Sequence, residues 1–244
     1  PTPAQGNTPR DIVTDGKYVY VSMYTGVVSR IDPSTNTIDK TVAVGPNPEE
    51  MVIVNKSLYV TNSDGNNYNA GYANGKSLSK ISLSDFVEEK KIAVGLNPTK
   101  ITADALGNVL VLCMGDYSAT PATVWKINAE DEATSMNIPA TIMDIKDNSL
   151  YVINAPYGAP SITYTVYNTS SGAVEKENFV SAPVDAPAGI AVHSDGRIFI
   201  TSYTLVGGFA SYKTPGYVSE YSSDGTFVKK YDVGVGAVSM TFLK

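Results

Sequence analysis

One cysteine and one histidine in 244 residues exclude whole classes of chemistry. Cys113 has no intramolecular disulfide partner, and with His193 as the only imidazole neither a histidine-based zinc site nor an ordinary Cys–His nucleophile pair can be assembled. Cys113 ends the run Val109-Leu110-Val111-Leu112-Cys113, the context of an inert core residue. His193 stands before Ser194-Asp195-Gly196 and reads as a surface turn residue.

Cations are also scarce. Lys and Arg number 18 against 24 Asp and Glu, for a net charge of −6, and they are dispersed, so nucleic acid is excluded as a partner because tracking phosphates needs clustered positive charge. No apolar run nears the roughly 18 residues needed to cross a bilayer as a helix. No charged-then-apolar signal opens the chain at Pro1-Thr2-Pro3-Ala4, so any signal or lipid anchor is expected upstream. Helical periodicity is missing throughout. What remains is 43% hydrophobic, enough for a sizeable core.

That hydrophobic content is organised as a degenerate repeat. Its first copy runs from Pro9-Arg10-Asp11-Ile12-Val13 through Asp15-Gly16 to Tyr18-Val19-Tyr20-Val21-Ser22, then Val27-Val28-Ser29-Arg30-Ile31-Asp32. Further copies open at Pro48, Pro98, Pro139 and Pro187, giving spacings of 39, 50, 41 and 48 residues. Short β-branched and aromatic runs alternate with Asp-Gly, Asp-Asn and Ser-Gly turns, which is strand and hairpin chemistry. This period predicts an all-β chain of four-stranded antiparallel propeller blades at about 9–47, 48–97, 98–138, 139–186 and 187–236. Residues 237–244 read as a closing strand. An eight-residue lead is too short to supply that strand's partners, so the expectation is one propeller domain completed by residues upstream. A five-bladed ring with an extra strand is the lesser reading.

Leu58-Tyr59-Val60-Thr61-Asn62, with Val44-Gly45-Pro46-Asn47-Pro48 and its echo Val94-Gly95-Leu96-Asn97-Pro98, resembles the YVTN-repeat β-propellers along essentially the whole chain. Val42-Ala43-Val44-Gly45-Pro46-Asn47-Pro48-Glu49 and Ile92-Ala93-Val94-Gly95-Leu96-Asn97-Pro98-Thr99 look like surface-layer-type propeller lipoproteins of gut anaerobes. That resemblance implies a seven-bladed ring, with about a blade and a half before Pro1. It implies a bacterial cell-surface or periplasmic location, lipid-anchored through a missing N-terminal segment. Some members of that group capture cobalamin for an outer-membrane transporter, and others have no assigned ligand.

In a four-stranded meander the loop between strands two and three lies at the same end as the lead into strand one. Those loops carry Tyr24, Tyr68, Tyr72, Tyr117, Tyr157, Tyr203 and Tyr212, and the leads add Arg10, Asp11, Asn47, Glu49, Asn97 and Lys100. Tyrosine offers a flat apolar ring and a hydroxyl, which suits ligand sites and interfaces. The competing readings are strand propensity for the tyrosines and turn formation for Asn47 and Asn97. The expectation is a non-catalytic binding propeller taking a bulky polar small molecule, with a corrinoid implied by the resemblance. The alternatives are an interaction scaffold for an outer-membrane protein and a carboxylate-dependent lyase or hydrolase.

No cofactor and no metal are expected. The insertion Asn62–Gly75 has oxygen donors but lacks the acidic residues of a calcium loop. Glu49 and Glu50 are adjacent on a strand and point to opposite faces, so spacing makes them no catalytic pair. Glu88-Glu89-Lys90-Lys91 reads as a solvated edge strand.

Overall fold

The computed structural model describes residues 8–157 and 161–242. Strands β1 (Pro9–Thr14), β2 (Val19–Met23), β3 (Val27–Asp32) and β4 (Thr37–Ala43) pair in chain order as a first antiparallel sheet. A second is built from β5 (Pro48–Val54), β6 (Ser57–Asn62), β7 (Ser77–Ser82) and β8 (Val87–Ala93), and a third from β9 (Pro98–Ala103), β10 (Val109–Cys113), β11 (Thr123–Ile127) and β12 (Ala133–Pro139). The fourth contains β13 (Ile142–Lys146), β14 (Ser149–Asn154), β15 (Thr163–Asn168) and β16 (Val174–Glu177). The fifth contains β17 (Pro187–Val192) and β18 (Ile198–Ser202), then β21 (Tyr217–Tyr221) and β22 (Phe227–Asp232). Between β18 and β21 a separate ribbon is inserted, made of β19 (Leu205–Val206) and β20 (Phe209–Ala210). The chain divides into two compact units, Pro1–Pro139 with the first three sheets and Ala140–Lys244 with the other two.

Local chemistry explains the recurring meander. Asp15 Oδ1 accepts the N–H groups of Lys17 and Tyr18 at 2.9 and 2.7 Å, and Asp195 Oδ1 accepts that of Arg197 at 3.0 Å. Such side-chain turns reverse the chain between first and second strands. The turn into the fourth strand repeats the device, with Asp32, Asn128 and Asn168 each accepting an amide two residues on.

Within each unit the core lies between successive sheets. Tyr20 and Val28 of the first sheet pack with Leu58, Val60 and Ile81 of the second. Leu78 and Ile92 meet Val109, Val111 and Cys113 of the third. In the second unit, Ile153, Tyr164 and Phe179 pack on Ile198, Ile200 and Tyr221. Cys113 is buried in this core, and desolvation pushes its thiol up to about 12; it is held as an unreactive thiol.

First strands run beside first strands: β1 with β5, β5 with β9, and β13 with β17. A carboxylate stitches each contact. Asp11 Oδ2 accepts Met51 N at 2.8 Å, Glu50 Oε2 accepts Ile101 N at 3.4 Å, and Asp144 Oδ2 accepts Val192 N at 2.7 Å. All three carboxylates occupy the third position of their strands, so Asp11 and Glu50 serve in joining sheet to sheet.

Two boundaries differ from the sequence expectation. Pro139 ends β12, and β13 begins at Ile142. Residues 237–242 form no strand, although they lie against β17: the Val238 carbonyl occupies the space a side chain at Gly189 would need. The Phe242 ring packs on His193 and Phe199 at 4.7 and 5.3 Å. Side-chain packing holds this segment without a ladder, and residues 243–244 lie outside the described residues. The Glu88–Lys91 stretch does lie on the outermost strand of its sheet, β8.

Candidate ligand-binding site

In each of four sheets the amide just after the second strand bonds a carbonyl just before the first. Tyr24 N reaches Thr8 O at 2.9 Å, Asp64 N reaches Pro46 O at 3.1 Å, and Gly115 N reaches Leu96 O at 3.0 Å in the first unit. Tyr203 N reaches Ala186 O at 3.0 Å in the second. Lead and long loop therefore share one end of every such sheet, which brings the predicted residues of the first unit together.

Three tyrosines from three successive sheets meet there. The Tyr72 and Tyr117 rings contact edge to face, with centroids 6.2 Å apart. Tyr24 lies under the Arg10 guanidinium at 4.9 Å, and its hydroxyl fills the space beside Gly65 that any side chain there would occupy. Desolvation raises the pKa of Tyr24, with the Glu49 charge acting in the same direction. Desolvation at its hydroxyl end likewise raises that of Tyr117, aided by Tyr72, although most of this side chain faces solvent. Both hydroxyls are protonated at neutral pH and can donate.

The charged residues interlock with this cluster. Arg10 Nε donates to Glu49 Oε2 at 2.6 Å, and Ser63 Oγ donates to Glu49 Oε1 at 3.4 Å. Burial raises the Glu49 pKa even though Arg10 opposes it. The asymmetry of exposure explains which effect wins: the Glu49 side chain is 12% exposed and that of Arg10 44%, so water screens the cation more than it hydrates the carboxylate. Lys100 pairs with Glu50, whose pKa burial also raises. As expected from alternation, Glu49 turns toward the first sheet and Glu50 toward the third.

A raised carboxyl pKa has a definite sign. The folded state binds the proton more tightly than the unfolded chain, so the contribution of Glu49 to stability is greatest below about pH 4.5 and is lost as pH rises through its folded value. Glu49→Gln is expected to flatten this part of the stability profile, seen in urea unfolding midpoints between pH 4 and 7. A slope unchanged by the substitution would contradict the assignment.

Other predicted residues are placed differently. Asn47 and Asn97 are buried, not presented on the rim. Both adopt left-handed backbone, with φ of 48° and 56°. Asn47 Nδ2 donates to Tyr24 O at 2.9 Å while its Oδ1 accepts Asn66 N at 3.0 Å; Asn97 Nδ2 donates to Gly115 O at 3.3 Å. They shape the loops, because their short amides can bond locally where backbone φ is positive. Tyr68 stands exposed on the 3-10 turn Gly65–Ala70. In the second unit, Tyr157 is 97% exposed beside residues 158–160, which lie outside the described residues, and Tyr203 packs edge to face on Tyr212 at 4.9 Å.

Sequence reasoning missed Ser63 and Gly65, which seat Glu49 and Tyr24. The Ser63-Asp64-Gly65 turn was the available signal. Asp64 and Asp116, the carboxylates of the second and third long loops, bond within those loops: Asp64 Oδ2 accepts Asn74 N at 2.8 Å, and Asp116 Oδ1 accepts Ser118 N at 2.9 Å. Among the described residues no cluster of His, Cys, Asp and Glu is suited to a metal, and no helix is long and apolar enough to cross a membrane.

A cavity of about 670 Å³ opens at the other end of the first two sheets, lined by Asp15, Asn55, Lys56, Ser84 and Glu89. Asp15 is occupied by its turn and by the Tyr20 hydroxyl at 2.9 Å, and Ser82 and Ser84 bond each other. Turn residues dominate this lining, whereas the tyrosine end combines aromatic rings with an exposed cation.

Among solved structures, hydrazine synthase from Kuenenia stuttgartiensis matches 96% of the chain at a TM-score of 0.69 and 18% identity, with 68% of that chain covered. The fold is that of a β-propeller. Propeller likeness extends to dihydro-heme d1 dehydrogenase NirN in complex with DHE, at TM-score 0.60 and 14% identity over 93% of this chain and 47% of that one. A chain of a mitotic checkpoint complex matches at TM-score 0.60 and 11% identity, over 93% of this chain and 65% of its own. The sequence matches no protein-family model and no curated protein. Propellers thus serve both in enzymes and in assemblies, and at these identities the likeness establishes fold alone.

Proposed function

We propose that this propeller is a binding protein that captures a bulky polar small molecule at the loop end of its first three blades. The observation that carries the reading is the convergence of Tyr24, Tyr72 and Tyr117 from three separate blades around the Arg10–Glu49 pair. Apolar ring faces supply contact area, the protonated hydroxyls supply donors, and Arg10 and Lys100 offer positive charge to an amide oxygen or a phosphate. The resemblance to surface-layer-type propeller lipoproteins makes a corrinoid the ligand to test first. It also suggests a cell-surface or periplasmic protein anchored through lipid.

Calorimetric titration with cyanocobalamin tests this. Tyr72→Ala with Tyr117→Ala is expected to weaken binding by about 100-fold, the combined effect of removing two aromatic anchors. No heat and no thermal shift with the unsubstituted protein would reject the corrinoid reading.

A protein-interaction scaffold is the second reading, favoured by the exposure of Tyr68 and Tyr117. Capture of an outer-membrane protein that the same double substitution abolishes, without any corrinoid heat, would select it.

A further inference from the structure

The ribbon β19–β20 has no counterpart elsewhere among the described strands. It pairs Leu205 with Ala210 and Val206 with Phe209, and Gly207-Gly208 close it with φ of 61° and 86°. Positive φ at both central residues is the signature of a tight two-residue hairpin turn. Its base is pinned: Ser211 N donates to Thr204 O at 2.9 Å, Thr204 Oγ1 to Pro215 O at 2.8 Å, and Tyr203 packs on Tyr212.

The ribbon carries its apolar side chains into solvent. Leu205, Val206 and Phe209 are all exposed, Phe209 at 71%. No charged residue occurs from Tyr203 to Tyr212, and Lys213 follows. Order of polarity thus runs from an aliphatic and phenyl tip, through a tyrosine pair, to a lysine. Interfacial membrane anchors show that gradient, with aromatic rings at headgroup depth and a cation beyond.

We propose that the Leu205–Ala210 hairpin inserts its tip into the surface of a lipid bilayer. Size favours lipid over protein: a stable protein interface needs roughly 800 Å² and 20 to 30 residues on each side, far more than a six-residue ribbon offers. A bilayer surface needs only a few protruding apolar side chains. Charge decides what kind of bilayer. With one lysine beside the ribbon and a net charge of −6, attraction to anionic headgroups contributes little, so insertion is apolar and salt-insensitive.

The test is flotation of the full chain with vesicles of phosphatidylcholine, alone or mixed with phosphatidylglycerol, at low and high salt. Flotation with both, similar at either salt, is expected, and Phe209→Ser should reduce partitioning about tenfold. Phe209→Trp gives a second readout, quenching of its fluorescence by brominated lipid beyond that of Trp125 in the unsubstituted protein. The proposal is overturned by absence of flotation, by flotation that needs anionic lipid and vanishes with salt, or by a dimer in sedimentation that Phe209→Ser dissolves while vesicles remain unbound. It does not depend on the tyrosine site, whose failure would leave these results unchanged.

Discussion

Gly225→Val is expected to lower unfolding free energy by about 3–5 kcal/mol, measured by urea denaturation, the largest stability loss anticipated for a single turn substitution here. Two causes act together. Gly225 holds φ at +90°, a conformation that a β-branched residue adopts only under strain. A Cβ there would also overlap the Phe179 carbonyl oxygen. That contact cannot relax cheaply, because Ser181 N donates to Gly225 O at 2.8 Å and Phe227 N to Ser181 Oγ at 3.0 Å. The turn between β21 and β22 is thereby locked to the segment after β16, above the core formed by Phe179 and Tyr221. A loss below about 1 kcal/mol would show that this junction adapts.

Asp131→Asn is the second large effect, about 2–3 kcal/mol at neutral pH. Asp131 sits in the β11–β12 turn and joins the second and third blades. Its carboxylate accepts Lys80 Nζ at 2.9 and 3.1 Å, Lys90 Nζ at 3.4 Å and the Tyr59 hydroxyl at 3.3 Å. The Lys80 and Asp131 side chains are 18% and 13% exposed, so removing the anion strands a largely buried cation. Asparagine tolerates the φ of 61° at this position, which isolates the charge as the variable.

Burial alone would raise the Asp131 pKa, but the lysines outweigh it and the pKa falls below its usual 3.8. The unfolded chain binds this proton more readily than the folded one. Stability from Asp131 is therefore fully present above about pH 4 and disappears as pH drops through the folded value. The difference between native protein and Asp131→Asn should narrow in acid; a constant difference down to pH 2 would assign the loss to packing instead.

Much of the architecture was legible because each blade is locally encoded. Short β-branched and aromatic runs such as Leu58–Asn62 and Ile198–Ser202 form strands where they were expected, and Asp15-Gly16 and Asp195-Gly196 turn where their side-chain bonds require. The site was legible only in part. Tyr24, Tyr72, Tyr117, Arg10 and Glu49 converge, since meander geometry places their loops at one end. Asn47 and Asn97 share that end but are buried, because sequence marks a residue's position along the chain and not the direction of its side chain. The carboxylate stitches of Asp11, Glu50 and Asp144 were missed for a related reason: their acceptors serve amides about 40 to 50 residues away.

Sequence alone determined the four-stranded meander, its five recurrences and the turns between strands, since strand-forming runs and turn chemistry act over a few residues. Tertiary structure decided which polar groups stitch blade to blade, that residues 237–242 dock without a ladder, and that the Leu205–Ala210 ribbon stands free with its apolar tip uncovered. Those outcomes depend on what lies across a blade contact or beyond a loop, and burial and hydrogen bonding at such distances exist only once the chain has packed.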